Sequence, residues 1–196
     1  MTSARRPTLA IMVKEPRAGR VKTRLGREIG MAAAAWWARR RIERLVRELS
    51  DPRWRLVLAV APDTARTSRA LPASARIAQG KGDLGDRMRR VFCSLPPGPA
   101  LIIGADIPGI TRAHIAQGFR LLGAHEAVIG PASDGGYWAI GFKRMRPLPH
   151  GLFTGVRWSG PHARADTLAT LGRCKLGYLP ELHDVDTAAD LARLSR

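Results

Sequence analysis

The chain has 196 residues, 45% hydrophobic and 25% charged, which fits a single soluble globular domain with one sizeable core. Its net charge of +17 is spread from Arg5 and Arg6 to Arg193 and Arg196 rather than gathered in a tail, so charge alone is weak evidence for nucleic acid. Cys93 and Cys174 stand far apart without a CxxC, and the five histidines lack HExxH spacing. These patterns signal neither a disulfide framework nor a zinc enzyme and lead to the expectation of buried free thiols.

The apolar run 8–13 reads as a strand buried on both faces. It is too short for a signal-peptide core or a membrane span, so a cytoplasmic location is expected. A basic loop follows it, and residues 29–49 show the spacing of an amphipathic helix, ended by Ser50-Asp51-Pro52. Residues 56–61 read as a second buried strand, 63–71 as a short helix closed by Pro72, and 75–78 as a weak strand. A glycine-rich loop leads into a helix over 87–95, and 100–103 is the clearest later strand. A helix over 111–122 and strands over 127–130 and 137–142 come next. Residues 143–160 form a long loop or flap rich in Pro, Gly and Arg, a type of segment that is often functional. A helix over 163–171, a strand over 176–179 and a last helix over 187–194, with Thr187 as N-cap and Asp190 at the capping-box position, complete the order. Strand-helix alternation of this kind predicts a three-layer, Rossmann-like α/β domain with a mostly parallel sheet, covering 1–196 without an internal repeat or linker.

Several segments could carry chemistry. Lys14, Arg17, Arg20, Lys22 and Arg24, interrupted by Pro16 and Gly19, directly follow the first strand. A loop at the carboxyl end of a strand, opening toward a helix, favours phosphate through its amides and the helix dipole; a solvated basic loop is the plainer alternative. Asp106 ends an apolar strand before Pro108, where a carboxylate can hold Mg²⁺ or Mn²⁺ together with substrate phosphates. It could instead cap the following helix or close an Asx-turn. Asp134, in Ser133-Asp134-Gly135-Gly136-Tyr137-Trp138, has glycines that let the backbone approach a ligand and aromatics for a wall, although Asp-Gly alone reads as a hairpin turn. Asp184 and Asp186 share a side if extended and could complete a metal site, or serve only structure before the last helix. Gly80, Gly82 and Gly85 around Asp83 and Asp86 could meet a base or ribose. Trp158 and Ser159 could line an acceptor pocket, and Ser159 has no evident His partner for nucleophilic catalysis.

The motifs Lys14-x-Pro16-x-x-Gly19-x-x-Lys22-Thr23-Arg24-Leu25, Gln79-x-x-Gly82-Asp83-Leu84-Gly85-x-Arg87-Met88, Gly104-Ala105-Asp106-Ile107-Pro108, Gly130-Pro131-Ala132-x-Asp134-Gly135-Gly136-Tyr137-Trp138 and Asp184-Val185-Asp186-Thr187 occur in that order. Together they resemble the small glycosyltransferase-A-like family of uncharacterised nucleotide-diphospho-sugar transferases associated with radical-SAM and selenodomain genes. More distantly, the first loop and the aspartate motif are similar to those of 2-phospho-lactate guanylyltransferase and molybdenum-cofactor guanylyltransferase. The resemblance implies a nucleotide-diphospho-sugar transferase fold that binds a nucleotide through the first loop and a divalent metal through the aspartate after the central strand.

On that basis the expected function is metal-dependent transfer from a nucleotide or nucleotide-sugar donor to a small acceptor. Lys22, Asp106 and Asp134 are the expected catalytic residues. Lys14, Pro16, Gly19, Lys22, Thr23, Arg24, Gln79, Gly82 and Asp83 are expected at the nucleotide, Asp106 and Asp186 at Mg²⁺ or Mn²⁺, and Gly135, Gly136, Tyr137, Trp158 and Ser159 at the acceptor. The fold hosts both glycosyl and nucleotidyl transfer. The resemblance favours the first, whereas the lone acid of Ala105-Asp106-Ile107, where many metal-dependent glycosyltransferases have two, pulls toward the second. A basic nucleic-acid or anion-binding module without catalysis is the remaining class, disfavoured because aromatics are sparse and not interleaved with the arginines.

Overall fold

Seven strands form one sheet in the order β3-β2-β1-β4-β6-β5-β7 in a computed structural model that describes residues 6–182. The strands are β1 (Thr8–Lys14), β2 (Arg55–Ala61), β3 (Ala75–Ala78), β4 (Ala100–Gly104), β5 (Ala127–Pro131), β6 (Tyr137–Phe142) and β7 (Leu176–Tyr178). The α-helices are α1 (Thr23–Ile29), α2 (Met31–Leu49), α3 (Leu84–Ser94), α4 (Arg112–Ala124) and α5 (Ala163–Thr170). Only β6 runs antiparallel to its neighbours among these strands.

Side-chain alternation along the central strands explains the layers. Leu9, Ile11 and Val13 of β1, Leu58 and Val60 of β2, and Leu101 and Ile103 of β4 pack on one face beneath Ile42, Leu45 and Leu49 of α2 and Ile115 and Leu122 of α4. Ala10, Val57, Ala59, Ala100 and Ile102 face the other way, toward Met88, Val91 and Phe92 of α3, the flap residues Leu152 and Phe153, and Leu171 after α5. A strand covered on both faces is apolar on both alternating sets of positions, which is the pattern of β1 between Thr8 and Lys14 and of β4.

Beyond shifts of one or two residues at element ends, three helices differ from the sequence expectation. The helix expected over 29–49 is two helices, broken at Gly30, whose φ is 94°. Gly30 ends α1 by donating to the Gly26 carbonyl at 3.0 Å and begins α2 by accepting from Ala34 at 3.0 Å. The helix expected from Arg87 starts at Leu84, because Asp83 and Asp86 form a reciprocal capping box: Asp86 N donates to Asp83 Oδ1 at 2.8 Å and Asp83 N to Asp86 Oδ2 at 3.2 Å. The helix expected over 63–71 is a 3-10 turn over Asp63–Thr67. Cys93 and Cys174 are free as expected, but neither is fully buried: Cys174 is half-buried and Cys93 is exposed, because Met88, Val91, Phe92 and Leu95 take the inner face of the helical segment. The expected helix 187–194 lies outside the described residues.

Much of the arginine excess is used to satisfy backbone carbonyls. Arg76 donates to the carbonyls of Leu71 and Pro72 at 2.9 Å and of Ser68 at 2.8 Å, and Arg144 donates to those of Leu95 and Pro96 at 2.9 Å. No described helix is long and apolar enough to cross a membrane.

Candidate active site

The order of strands reverses at β1, which lies between β2 and β4. In open α/β sheets the crevice at the carboxyl ends of the strands flanking such a switch point is the usual ligand site. A cavity of about 380 Å³ opens there, lined by Met12 of β1, Gly104 and Asp106 at the end of β4, Asp134 and Gly136 between β5 and β6, Tyr137 of β6, and Trp158 and Ser159 of the flap. Because β6 is antiparallel to β4, with Ile103 opposite Ala139, the first residue of β6 arrives at the same end as the last residue of β4. The structure thus brings together Asp106, Asp134, Gly136, Tyr137, Trp158 and Ser159.

Lys22 joins the site through Asp106. Its Nζ lies 3.1 Å from Asp106 Oδ2, with the lysine side chain 8% exposed and the aspartate 58%. The ammonium also stands 5.9 Å from the centre of the Trp37 ring. Lys22 is the N-cap of α1 in a left-handed conformation, φ 46° and ψ 47°, without a side-chain cap. Ser159 is likewise at φ 64°. Non-glycine residues rarely hold this conformation, and they collect where surrounding structure imposes it at functional sites.

The remaining loop cations divide. Arg17 Nε pairs with the buried Glu15 carboxylate at 2.6 Å, and a hydrogen bond from Ser68, followed by Arg17, keeps that carboxyl below its ordinary pKa despite burial. Lys14, Gly19, Thr23 and Arg24 are exposed and Pro16 half-buried, none of them lining the cavity. Gln79 is buried, and its Nε2 donates to the Val13 carbonyl at 3.1 Å and the Ala59 carbonyl at 2.7 Å, strapping β1 to β2. Gly82 and Asp83 lie at the amino end of α3, where Asp83 lines a separate recess with Arg89 and flap residues 150–155.

The turn between β5 and β6 is an Asx-type turn, as its Asp-Gly sequence permits: Gly136 N donates to Asp134 Oδ1 at 2.8 Å. Gly135, at φ 86°, gives its carbonyl to Arg164 N at 3.1 Å, docking this turn against the start of α5. Of the expected aromatic wall, Trp138 is buried on one face of the sheet with Nε1 donating to the Pro180 carbonyl at 2.9 Å. Tyr137 faces the other way, accepts from Thr167 Oγ1 at 3.3 Å, and has its phenol pushed well above the ordinary value by burial. The indole of Trp158 packs against Phe153 with ring centroids 6.1 Å apart, and its Nε1 is buried without a hydrogen-bond partner among the described residues.

Asp106 and Asp134 offer oxygen donors to one cavity, which fits a hard divalent cation held by one or two carboxylates and completed by substrate phosphates. No group of three metal-ligating side chains occurs among the described residues, so a cage made wholly of these side chains is not the arrangement. Asp184 and Asp186 lie outside the described residues. Leu84 and Met88 also line the cavity; both stand in the second motif, but as apolar residues of a helix they carry no expected role at the site.

The fold is that of nucleotide-diphospho-sugar transferases. The chain is similar over 97% of its length to 87% of a protein from Desulfovibrio desulfuricans G20 provisionally described as a nucleotide-diphospho-sugar transferase, with 29% identity and a TM-score of 0.88. It shares the fold of Rv0371c from Mycobacterium tuberculosis H37Rv in complex with manganese, at 19% identity and TM-score 0.56 over 98% of both chains. The fold also matches 4-diphosphocytidyl-2C-methyl-D-erythritol synthase from Anaerococcus prevotii, at 10% identity and TM-score 0.62 over 96% of both chains. No curated protein matches the sequence. A family model described as an uncharacterized protein conserved in bacteria, DUF2064, matches residues 45–160, and the chain belongs to that family.

Proposed function

We propose that the protein is a metal-dependent transferase that moves a group from an activated nucleotide, foremost a nucleotide sugar, to a small acceptor. The observation that carries this reading is the Lys22–Asp106 pair, whose aspartate lines the cavity at the strand switch point together with Asp134. In this reading Lys14, Lys22 and Arg24 neutralise donor phosphates, helped by Pro16, Gly19 and Thr23, which shape the loop and the start of α1. Gln79, Gly82 and Asp83 shape the nucleotide side. Asp106, with Asp134 or Asp186, holds Mg²⁺ or Mn²⁺, which when bound supplies charge neutralisation at the phosphates. Lys22 then exchanges the carboxylate of Asp106 for phosphate oxygens. Gly135 and Gly136 let the acceptor approach the backbone, and Tyr137, Trp158 and Ser159 form its wall. Chemistry of this kind rests on positioning and charge stabilisation.

Nucleotidyl transfer is the second reading, favoured by the single acid of Ala105-Asp106-Ile107. The two leave different by-products: glycosyl transfer releases a nucleoside diphosphate and nucleotidyl transfer pyrophosphate. The test is a thermal-shift screen of nucleotides and nucleotide sugars with and without Mg²⁺ or Mn²⁺, followed by by-product analysis with the donor so found. A metal-dependent rise in melting temperature with one donor is expected. Stabilisation by nucleic acid that falls steeply with salt and ignores divalent ions would favour the binding-module class instead.

A further inference from the structure

Behind the segment that carries Asp106, α2 and residues 108–112 enclose an open groove of about 570 Å³ lined by three guanidiniums, those of Arg41, Arg44 and Arg112, against one carboxylate, that of Glu48. Arg41, Arg44 and Glu48 are spaced by three and four residues and therefore share a face of α2. Arg112 Nε donates to the Glu48 carbonyl at 2.7 Å, which fixes this arginine at the start of α4. Arg44 Nε reaches the Glu48 carboxylate only at 3.8 Å. Arg41 donates to the Ile107 carbonyl, and its Nε is buried with no hydrogen-bond partner among the described residues. Removal from water pulls the Arg41 pKa down, an effect opposed by Glu48, reinforced by Arg44 and opposed again by Asp106.

A guanidinium partly withdrawn from water beside two like charges is costly unless an anion offsets the charge. We propose that this groove is a second anion site, separate from the donor cavity, that takes a phosphate-type oxyanion. The planar forks of Arg41, Arg44 and Arg112 suit the oxygens of such an ion, and Glu48 offsets only one of three charges. The end of α4 is not the source of the site, since Thr111 and His114 already form its capping box. The ligand chemistry is shared by free phosphate and by the phosphoryl group of a small metabolite.

The test is calorimetric titration with inorganic phosphate, and separately with glycerol 3-phosphate, at constant ionic strength set with chloride. The parent protein, the Lys22→Ala variant and the Arg44→Ala/Arg112→Ala double variant are compared. Saturable binding is expected in the parent and in Lys22→Ala, at least tenfold weaker in the double variant. A tighter response to glycerol 3-phosphate identifies a phosphorylated metabolite as the occupant, and a tighter response to phosphate identifies the free ion. Arg44→Gln/Arg112→Gln, which keeps side-chain length, repeats the comparison if the alanine variant melts early. Equal phosphate binding by parent and groove variants overturns the proposal, as does binding lost only in Lys22→Ala. No nucleotide enters this experiment, so its failure leaves the donor-site reading untouched.

Discussion

Lys22 Nζ stands 3.1 Å from Asp106 Oδ2, tying the loop after β1 to the acid after β4 across the point where strand order reverses. The lysine that makes this contact holds a positive φ of 46°, so the backbone is strained where the charge is placed. Function and stability therefore pull in different directions at position 22.

Lys22→Gly relieves the left-handed strain, about 1 kcal/mol, and loses an ion pair whose aspartate is exposed, worth about 0–1 kcal/mol, together with the packing of a lysine stem that is only 8% exposed. Its stability should fall by no more than about 2 kcal/mol in urea unfolding, whereas donor-dependent turnover should fall by at least about 100-fold if charge stabilisation of the expected size is lost. A glycine variant with parental turnover would remove Lys22 from the site.

Gln79 should behave as a structural strap. Gln79→Ala removes two buried side-chain hydrogen bonds, to the Val13 and Ala59 carbonyls, at about 0.5–1.5 kcal/mol each. Gln79→Glu cannot donate from an ionised carboxylate and should be no better. Chemical denaturation of both variants decides it, and a loss below about 1 kcal/mol would contradict the strap.

How much of this was legible in sequence follows from which signals are local. The apolar runs of β1 and β4 announce strands buried on both faces, and they place the basic loop and Asp106 at the same sheet end. The break at Gly30 was hidden because the apolar spacing of Ile29, Ala33, Trp36 and Trp37 continues through it; only the backbone angle separates α1 from α2. The early start of α3 was masked by the glycines around Asp83, although Asp83-x-x-Asp86 is a capping pattern with the shorter acid at its third position. That Gln79 points inward, onto carbonyls of two other strands, depends on contacts far away in sequence. The Arg41, Arg44, Glu48 spacing was present but submerged in a chain rich in arginine.

Gly135→Ala should damage both fold and site. An added Cβ would overlap the backbone of Pro161, and φ is 86°, so the β5–β6 turn must move away from α5. About 1–3 kcal/mol of stability should be lost, with reduced turnover because Asp134 moves with the turn. Gly19→Ala is the control: it shares a positive φ of 74° but meets nothing within 4 Å, so only the backbone strain of about 1 kcal/mol applies. Equal losses in the two variants would contradict the role given to Pro161.

Asp166 holds the flap at Arg157, accepting from its Nε at 2.8 Å and its backbone N at 3.0 Å. Those bonds, the side-chain ones first, keep the carboxyl well below its ordinary value of 3.8; Asp51 is drawn down to about 2 by Arg53 in the same way. A carboxyl depressed in the folded state stabilises fully above its unfolded pKa and progressively less as pH falls through the folded one. The stability difference between the parent and Asp166→Asn, or Asp51→Asn, should thus be flat above about pH 5 and shrink below about pH 4. Urea midpoints across that range check this, and a difference that grows in acid would contradict it.

Calorimetric titration of the donor found in the screen, with and without Mn²⁺, into the parent protein and Asp106→Asn tests the central claim most directly. Metal-dependent binding is expected in the parent and loss of the metal-dependent part in Asp106→Asn, with the melting temperature of the free protein nearly unchanged. Equally tight, equally metal-dependent binding in the two proteins would contradict it.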